Sequence, residues 1–237
     1  MGLFGQGVLE ALRLLFTGDA EVWQITWLSL QVSATATLLS LLAGIPAGAL
    51  LALSRFPGRA FVVSLVNTGM GLPPVVVGLF VTILLWRNGA LGFFELLYTP
   101  TAVIAGQFVI AAPIVTGLTL AAVQQVPEPF RLQMLGLGAS RRQMVWVLLK
   151  EARLPMLAAV MAGFGGVISE VGASMMVGGN IRGETRVLTT ATVLETGKGN
   201  FDIAIALSVI LLGLTFAINF FLTRVQQREQ LRWPKVS

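Results

Sequence analysis

Few residues in this chain can do chemistry, so the places where they stand are informative. Glu170 is a carboxylate inside an apolar run from 154 to 177, where a charge costs about 2.5 to 3.5 kcal/mol on insertion scales. Such a group must face protein or water, and three roles are open to it. It can be a structural or gating group that accepts hydrogen bonds, a side chain that reaches interfacial water, or a direct ligand group. Ser169 and Gly172 flank it. Pro73 and Pro74 interrupt another apolar run and leave carbonyls without intrahelical donors, which suits a packing kink or a broken helix lining a watery path. In the glycine-rich stretch 178 to 186, Arg182 and Arg186 stand with Asn180 and Glu184. These arginines can steer an anion, meet acidic residues of a docked protein, or be solvated charges in a turn. The chain has no cysteine and no histidine, which excludes disulfides, thiolate or imidazole metal sites and Ser-His-Asp triads.

The elements that must position these residues are membrane spans. With 55% hydrophobic and 11% charged residues and a mean hydropathy of +0.83, 237 residues offer too little polar surface for a soluble globule. Apolar runs at 24–54, 60–86, 100–124, 154–177 and 202–223 are each long enough to cross a bilayer. Gly44, Pro46 and Gly48 are expected to kink the first run, and Trp23 to Trp27 suits the interface. Residues 1–23 read as an amphipathic interfacial helix rather than a signal peptide, having no basic leader region. Gly163, Gly165, Gly166 and Gly172 give the fourth run a small-residue face for a dimer contact, a gate or an internal contact.

Orientation follows from lysine and arginine. One side holds Arg55, Arg59, Arg131, Arg141, Arg142, Lys150, Arg153, Arg224, Arg228, Arg232 and Lys235 against Glu128, Glu151 and Glu229. The other holds Arg13, Arg87, Arg182, Arg186 and Lys198 against Glu10, Asp19, Glu21, Glu95, Glu184, Glu195 and Asp202. The basic side is cytoplasmic by the positive-inside rule, which puts the N-terminus outside and the basic tail 225–237 inside. A net charge of +5 does not point to nucleic acid here, because in a membrane protein the distribution of charge matters more than its sum.

The segment 127–155 is polar, basic and wedged between apolar runs. Pro127 and Pro129 end the third run. Ser140-Arg141-Arg142-Gln143 reads as a capping box that starts a helix with Met144, Val147 and Leu148 on one face, so the segment is expected to be helix, turn, helix. An ordinary solvated loop is the alternative, although connections between packed helices rarely exceed about eight residues.

Leu135-Gly136-Leu137-Gly138-Ala139-Ser140, followed by an amphipathic run to Arg153-Leu154-Pro155, resembles the cytoplasmic signature loop of ABC importer permeases, with Leu132-Gln133-Met134 in place of Glu-Ala-Ala. The stretch from Gly138 to Pro155 is longer than in the family by about one helical turn. Gly71 to Leu79, Ile168 to Ala173 and Gly178 to Thr185 are similar to the molybdate, tungstate and sulfate branch, and most similar to tungstate permeases. The resemblance covers residues 25 to 224. It implies an all-α, polytopic, type I permease fold of about five transmembrane helices with a cytoplasmic coupling helix. It also implies that Leu132, Gln133, Met134, Gly138, Ala139, Ser140 and Arg141 meet an ATPase, that Pro73, Pro74, Ser169, Glu170 and Gly172 line the pathway or gate, and that Asn180, Arg182, Glu184 and Arg186 face a solute-binding protein.

The chain has no Gly-x-x-x-x-Gly-Lys-Ser/Thr loop, so it is not itself an enzyme; ATP and magnesium would belong to a partner ATPase dimer. Five spans are few for a complete path, which favours a homodimer in the cell (inner) membrane with the path on its two-fold axis. An ion-coupled secondary anion transporter is the alternative, but it would show inverted repeats and more intramembrane charges. An intramembrane enzyme or assembly factor would lack its commonest catalytic groups.

Overall fold

The computed structural model describes residues 2–231, without the side chains of Leu3, Phe4, Leu15, Arg141 and 229–231. Arg232, Lys235 and the end of the basic tail lie outside the described residues. Every regular element among them is helical. Helix α1 (Leu3–Thr17) stops at Gly18, whose φ of 70° is the left-handed conformation that ends helices. Asp19 then starts α2 (Ala20–Leu53) by accepting a hydrogen bond from the Val22 amide at 2.9 Å. Helices α3 (Arg59–Met70) and α4 (Pro74–Leu85) follow, then a single 3-10 turn (Gly92–Phe94) and α5 (Pro100–Gln124). Two short helices, α6 (Glu128–Gly136) and α7 (Arg141–Glu151), lead into α8 (Arg153–Ile168). The chain closes with α9 (Gly172–Gly178), α10 (Leu188–Gly197) and α11 (Phe201–Leu231).

Among the described residues, three helices are long and apolar enough to cross a membrane: α2, α5, and α11 over Phe201–Arg228. Counting each bent helix pair as one span raises the number to five, as the apolar runs predict. The second span is broken at Pro73–Pro74, as those prolines suggest, and the fourth is not the continuous rod that 154–177 suggests. The α3–α4 pair bends by 103° and the α8–α9 pair by 56°, because Pro73 and Pro74 remove backbone donors in one case and the chain turns at Ser169 to Val171 in the other.

The centre of the molecule is the contact of α2 with α5. A Cβ on Gly44 would lie 2.8 Å from Val115 Cγ1, and one on Gly48 would lie 2.5 Å from the Thr116 carbonyl oxygen. These glycines let two backbones approach closely, and α2 stays helical through Pro46. Their role is therefore packing, where the sequence suggested a kink. Gly163 of α8 likewise faces Val115, with a Cβ at 3.1 Å, and serves an internal contact.

Three apolar clusters surround this pair. One joins α2, α4, α5 and α9 through Val32, Val81, Val103 and Val177. A second joins α1, α2, α10 and α11 through Ala11, Ile25, Leu188 and Leu207. The N-terminal helix is thus packed on protein, with Gly7 seated against Ile205 of α11. The third lies under α7, where Leu148 is fully buried against Val123, Val126 and Ala152.

Candidate functional site

The basic segment folds as two helices joined by a tight, defined turn. Pro129 occupies the first turn of α6, where a missing amide costs nothing. At its other end the Gly138 amide donates to the Leu135 carbonyl at 2.9 Å and the Ala139 amide to the Met134 carbonyl at 3.0 Å. With Gly138 at φ 79°, this is a Schellman stop. Ser140 then begins α7 with the capping box read from the sequence. Its amide donates to Gln143 Oε1 at 2.8 Å, and its hydroxyl accepts from the Gln143 amide at 3.4 Å.

The pair is anchored by charge and by packing. Arg131 donates to the Val123 carbonyl at 2.7 Å, putting a cation at the negative end of α5. Leu148 is fully buried while Met144 and Val147 are half-buried, as the predicted face requires. What remains outside is apolar: Leu137 is 81% exposed and Trp146 64%, with Lys150 Nζ 5.2 Å from the Trp146 ring centroid. Leu137 and Trp146 border an open cleft of about 600 Å³ together with Met134, Gly138, Ala139, Arg142, Gln143 and Val147. Met134, Gly138 and Ala139 were expected at this surface. Leu132 and Gln133 are exposed on α6, Ser140 serves the cap, and Arg141 begins α7 with its side chain outside the described residues. Leu137, Arg142 and Trp146 were missed. An apolar residue beside the stop glycine, and a tryptophan off the predicted buried face, were the signals available.

The two bends meet. A Cβ on Gly172 would lie 2.7 Å from Val75 Cγ2, and one on Gly78 2.7 Å from the Ala173 Cα, so the start of α9 presses against α4 just beyond Pro73 and Pro74. The Pro73 carbonyl accepts from the Val76 amide at 2.9 Å. Glu170 sits in the bend rather than inside a continuous span, and is buried. Its Oε1 accepts from the Ala173 amide at 2.8 Å, and its backbone carbonyl accepts from the Thr189 hydroxyl at 2.9 Å. Gln107 of α5 donates to the Val167 carbonyl at 3.1 Å, satisfying the end of α8. Ser169 returns its hydroxyl to the Gly165 carbonyl at 2.7 Å. Glu170 is therefore an internal cap for α9, tying the bend to α10.

The stretch 178 to 186 is clamped rather than free. Glu21 of α2 takes Arg182, whose Nε donates at 2.9 Å, and Arg186 at 3.3 Å, while Gln24 donates to the Gly183 carbonyl at 2.9 Å. The Glu21 hydrogen bond, and then its charge, hold the Arg182 guanidinium above its ordinary pKa. Asn180 donates to the Thr190 carbonyl at 3.4 Å, and Glu184 is exposed. Of the four residues expected to face a partner, Arg182 and Glu184 are outermost, while Asn180 and Arg186 are half-buried. Nearby, hydrogen bonds from Asn200 and then Lys198 hold Glu195 below the usual carboxylate range. That grip is complete above the ordinary carboxylate pKa and is lost as pH falls through the lowered one.

Glu21→Ala frees both guanidinium groups together, so exchange of the Glu184, Thr185 and Arg186 amides, all bonded to the Ile181 carbonyl, is expected to speed up by about tenfold. Hydrogen-exchange mass spectrometry checks it; unchanged protection would show that Gln24 and the turn suffice.

Comparison with known proteins places this geometry. The family described as "Binding-protein-dependent transport system inner membrane component" matches residues 44–230. A probable anion ABC transporter permease protein of Haloferax volcanii is 41% identical over 209 residues, covering 86% of this chain and 90% of that protein. The tungstate uptake system permease protein TupB of Peptoclostridium acidaminophilum is 37% identical over 227 residues, covering 96% of this chain and 100% of that protein. Among solved structures, the MetNI methionine ABC transporter in an inward-facing conformation aligns with a TM-score of 0.71 at 22% identity, over 88% of this chain and 94% of that one.

Proposed function

Because the chain belongs to the family of binding-protein-dependent transport system inner membrane components, we propose that it is the permease subunit of an ATP-binding cassette importer that passes tungstate into the cytoplasm. The observation that carries this reading is the α6–α7 pair: an anchored surface with an uncovered apolar cleft, on the side richest in lysine and arginine. A cytoplasmic ATPase dimer covers it, binding ATP and magnesium that this chain has no loop to hold. Two copies of the chain form the path, with their N-termini outside and C-termini in the cytoplasm, and an external solute-binding protein delivers the anion at the face around Arg182 and Glu184. The bends at Pro73–Pro74 and Glu170 form the part that opens and closes. Tungstate is preferred because the TupB relative aligns over its whole length, and no observation favours ion-coupled transport.

The test is reconstitution of the chain with its ATPase and binding protein in proteoliposomes, with tungstate, molybdate and sulfate offered separately. Tungstate-stimulated ATP hydrolysis with tungstate accumulation supports the reading; accumulation driven by an ion gradient without ATP overturns it.

A further inference from the structure

The break between α8 and α9 is held from a third element. Gln107 of α5 is 3% exposed, and because added chains only bury a residue further, it lies inside protein in any assembly. Its Nε2 donates to the Val167 carbonyl, in the last turn of α8, at 3.1 Å, and lies 3.5 Å from the Ser174 hydroxyl of α9. One side chain thus spans both halves of the bent span. Only the amide nitrogen can donate to Val167, which fixes the way the group faces, and Oε1 has no hydrogen-bond partner among the described residues. Ser174 is 2% exposed and makes no other side-chain hydrogen bond among them.

Packing alone does not ask for a polar group here. Val103, Gly106, Gln107 and Ile110 form one stripe of α5, spaced three and four apart, and its other members meet α9 through apolar contacts; a Cβ on Gly106 would lie 3.5 Å from Val177 Cγ2. An apolar side chain would fill the place without leaving an acceptor bare. Apolar contacts let helices slide, whereas a buried directional bond fixes one register. At its other end α5 carries the coupling pair: Val123 packs under Leu148, and its carbonyl accepts from Arg131 at 2.7 Å. One continuous helix joins Gln107 to Val123, about 24 Å at 1.5 Å per residue. We propose that Gln107 is the positioning residue through which α5 carries movement of the coupling pair to the α8–α9 bend, an assignment that rests on the transporter reading above. The Val167 bond keeps Gln107 on the end of α8, and the long contact to Ser174 is the part that changes. When α9 moves closer, the Ser174 hydroxyl donates to Oε1; when it moves away, α9 is released.

In the reconstituted complex, the quantity that reports this is tungstate accumulated per ATP hydrolysed. Gln107→Met matches the side chain in length and flexibility. It is expected to lower that ratio about tenfold, an ordinary size for coupling between two sites, while ATP hydrolysis continues and the ATPase still co-purifies. Ser174→Ala removes only the α9 contact and is expected to lower the ratio about threefold, the share of one weak hydrogen bond. Because both act through the same contact, the double variant is expected to fall no further than Gln107→Met alone. A merely structural role would lower the melting temperature and reduce uptake and hydrolysis in step, leaving the ratio unchanged. That result, or additive losses in the double variant, overturns the assignment. If Gln107→Met does not fold, Ser174→Ala decides alone, and an unchanged ratio there overturns it equally. Failure of the unsubstituted complex to move tungstate at all would instead sink the transporter reading, and the assignment with it.

Discussion

Leu137→Asp and Trp146→Ala are each expected to weaken association with the ATPase by about thirtyfold or more, the factor that corresponds to roughly 2 kcal/mol at a well-buried interface position. Both side chains are mostly exposed in the protomer, so neither substitution opens a cavity, and the Schellman stop and capping box around them rely on backbone, Gly138, Ser140 and Gln143. Leu137→Asp places a carboxylate where a partner would exclude water, and that desolvation adds to the lost contact. Trp146→Ala removes a large aromatic that Lys150 flanks. Co-purification and titration of the ATPase against permease in detergent measure the effect. Unchanged affinity in both variants would move the coupling surface elsewhere.

Glu170→Ala is expected to lower uptake at least about tenfold and to destabilise the permease by about 1 to 3 kcal/mol, the cost of a buried donor left without its acceptor. The donor is the Ala173 amide, which Glu170 Oε1 meets at 2.8 Å, at a contact where Gly172 and Gly78 leave no room for adjustment. Glu170→Gln keeps an acceptor in place, so it is expected to retain most of the uptake and most of the thermal stability. Thermal unfolding of the purified chain alongside uptake in proteoliposomes separates the two explanations. If Glu170→Gln fails as badly as Glu170→Ala, the negative charge, and not the cap, is what the bend requires.

Much of this was readable from residues. The capping box at Ser140 and Gln143 rests on two local hydrogen bonds whose partners are three residues apart, and such signals survive any tertiary context. The end of the third span was similarly clear, because Pro127 and Pro129 act locally, whereas the first span, read from 24, begins at Ala20 behind the Asp19 cap. Glu170 was found as unusual, but its partner was not, since its place in a bend depends on how the chain turns between Ser169 and Val171. The glycines were misread in one direction. Gly44 and Gly48 suggested a kink beside Pro46, yet their meaning is set by Val115 and Thr116, some seventy residues away, and a sequence does not display that approach. Arg182 and Arg186 looked like free charges for the same reason: Glu21, more than 160 residues earlier, holds both.

The central claim is that the α6–α7 turn transmits ATP hydrolysis to the path, and Gly138 tests it most directly. Its φ of 79° suits glycine, is tolerated by asparagine, and strains a β-branched residue, while a Cβ there would meet nothing within 4 Å. Any effect therefore comes from the backbone of the turn. Tungstate uptake and tungstate-stimulated ATP hydrolysis, measured together in the reconstituted complex, are predicted to collapse together in Gly138→Val and to persist in Gly138→Asn. Survival of both activities in Gly138→Val would contradict the account.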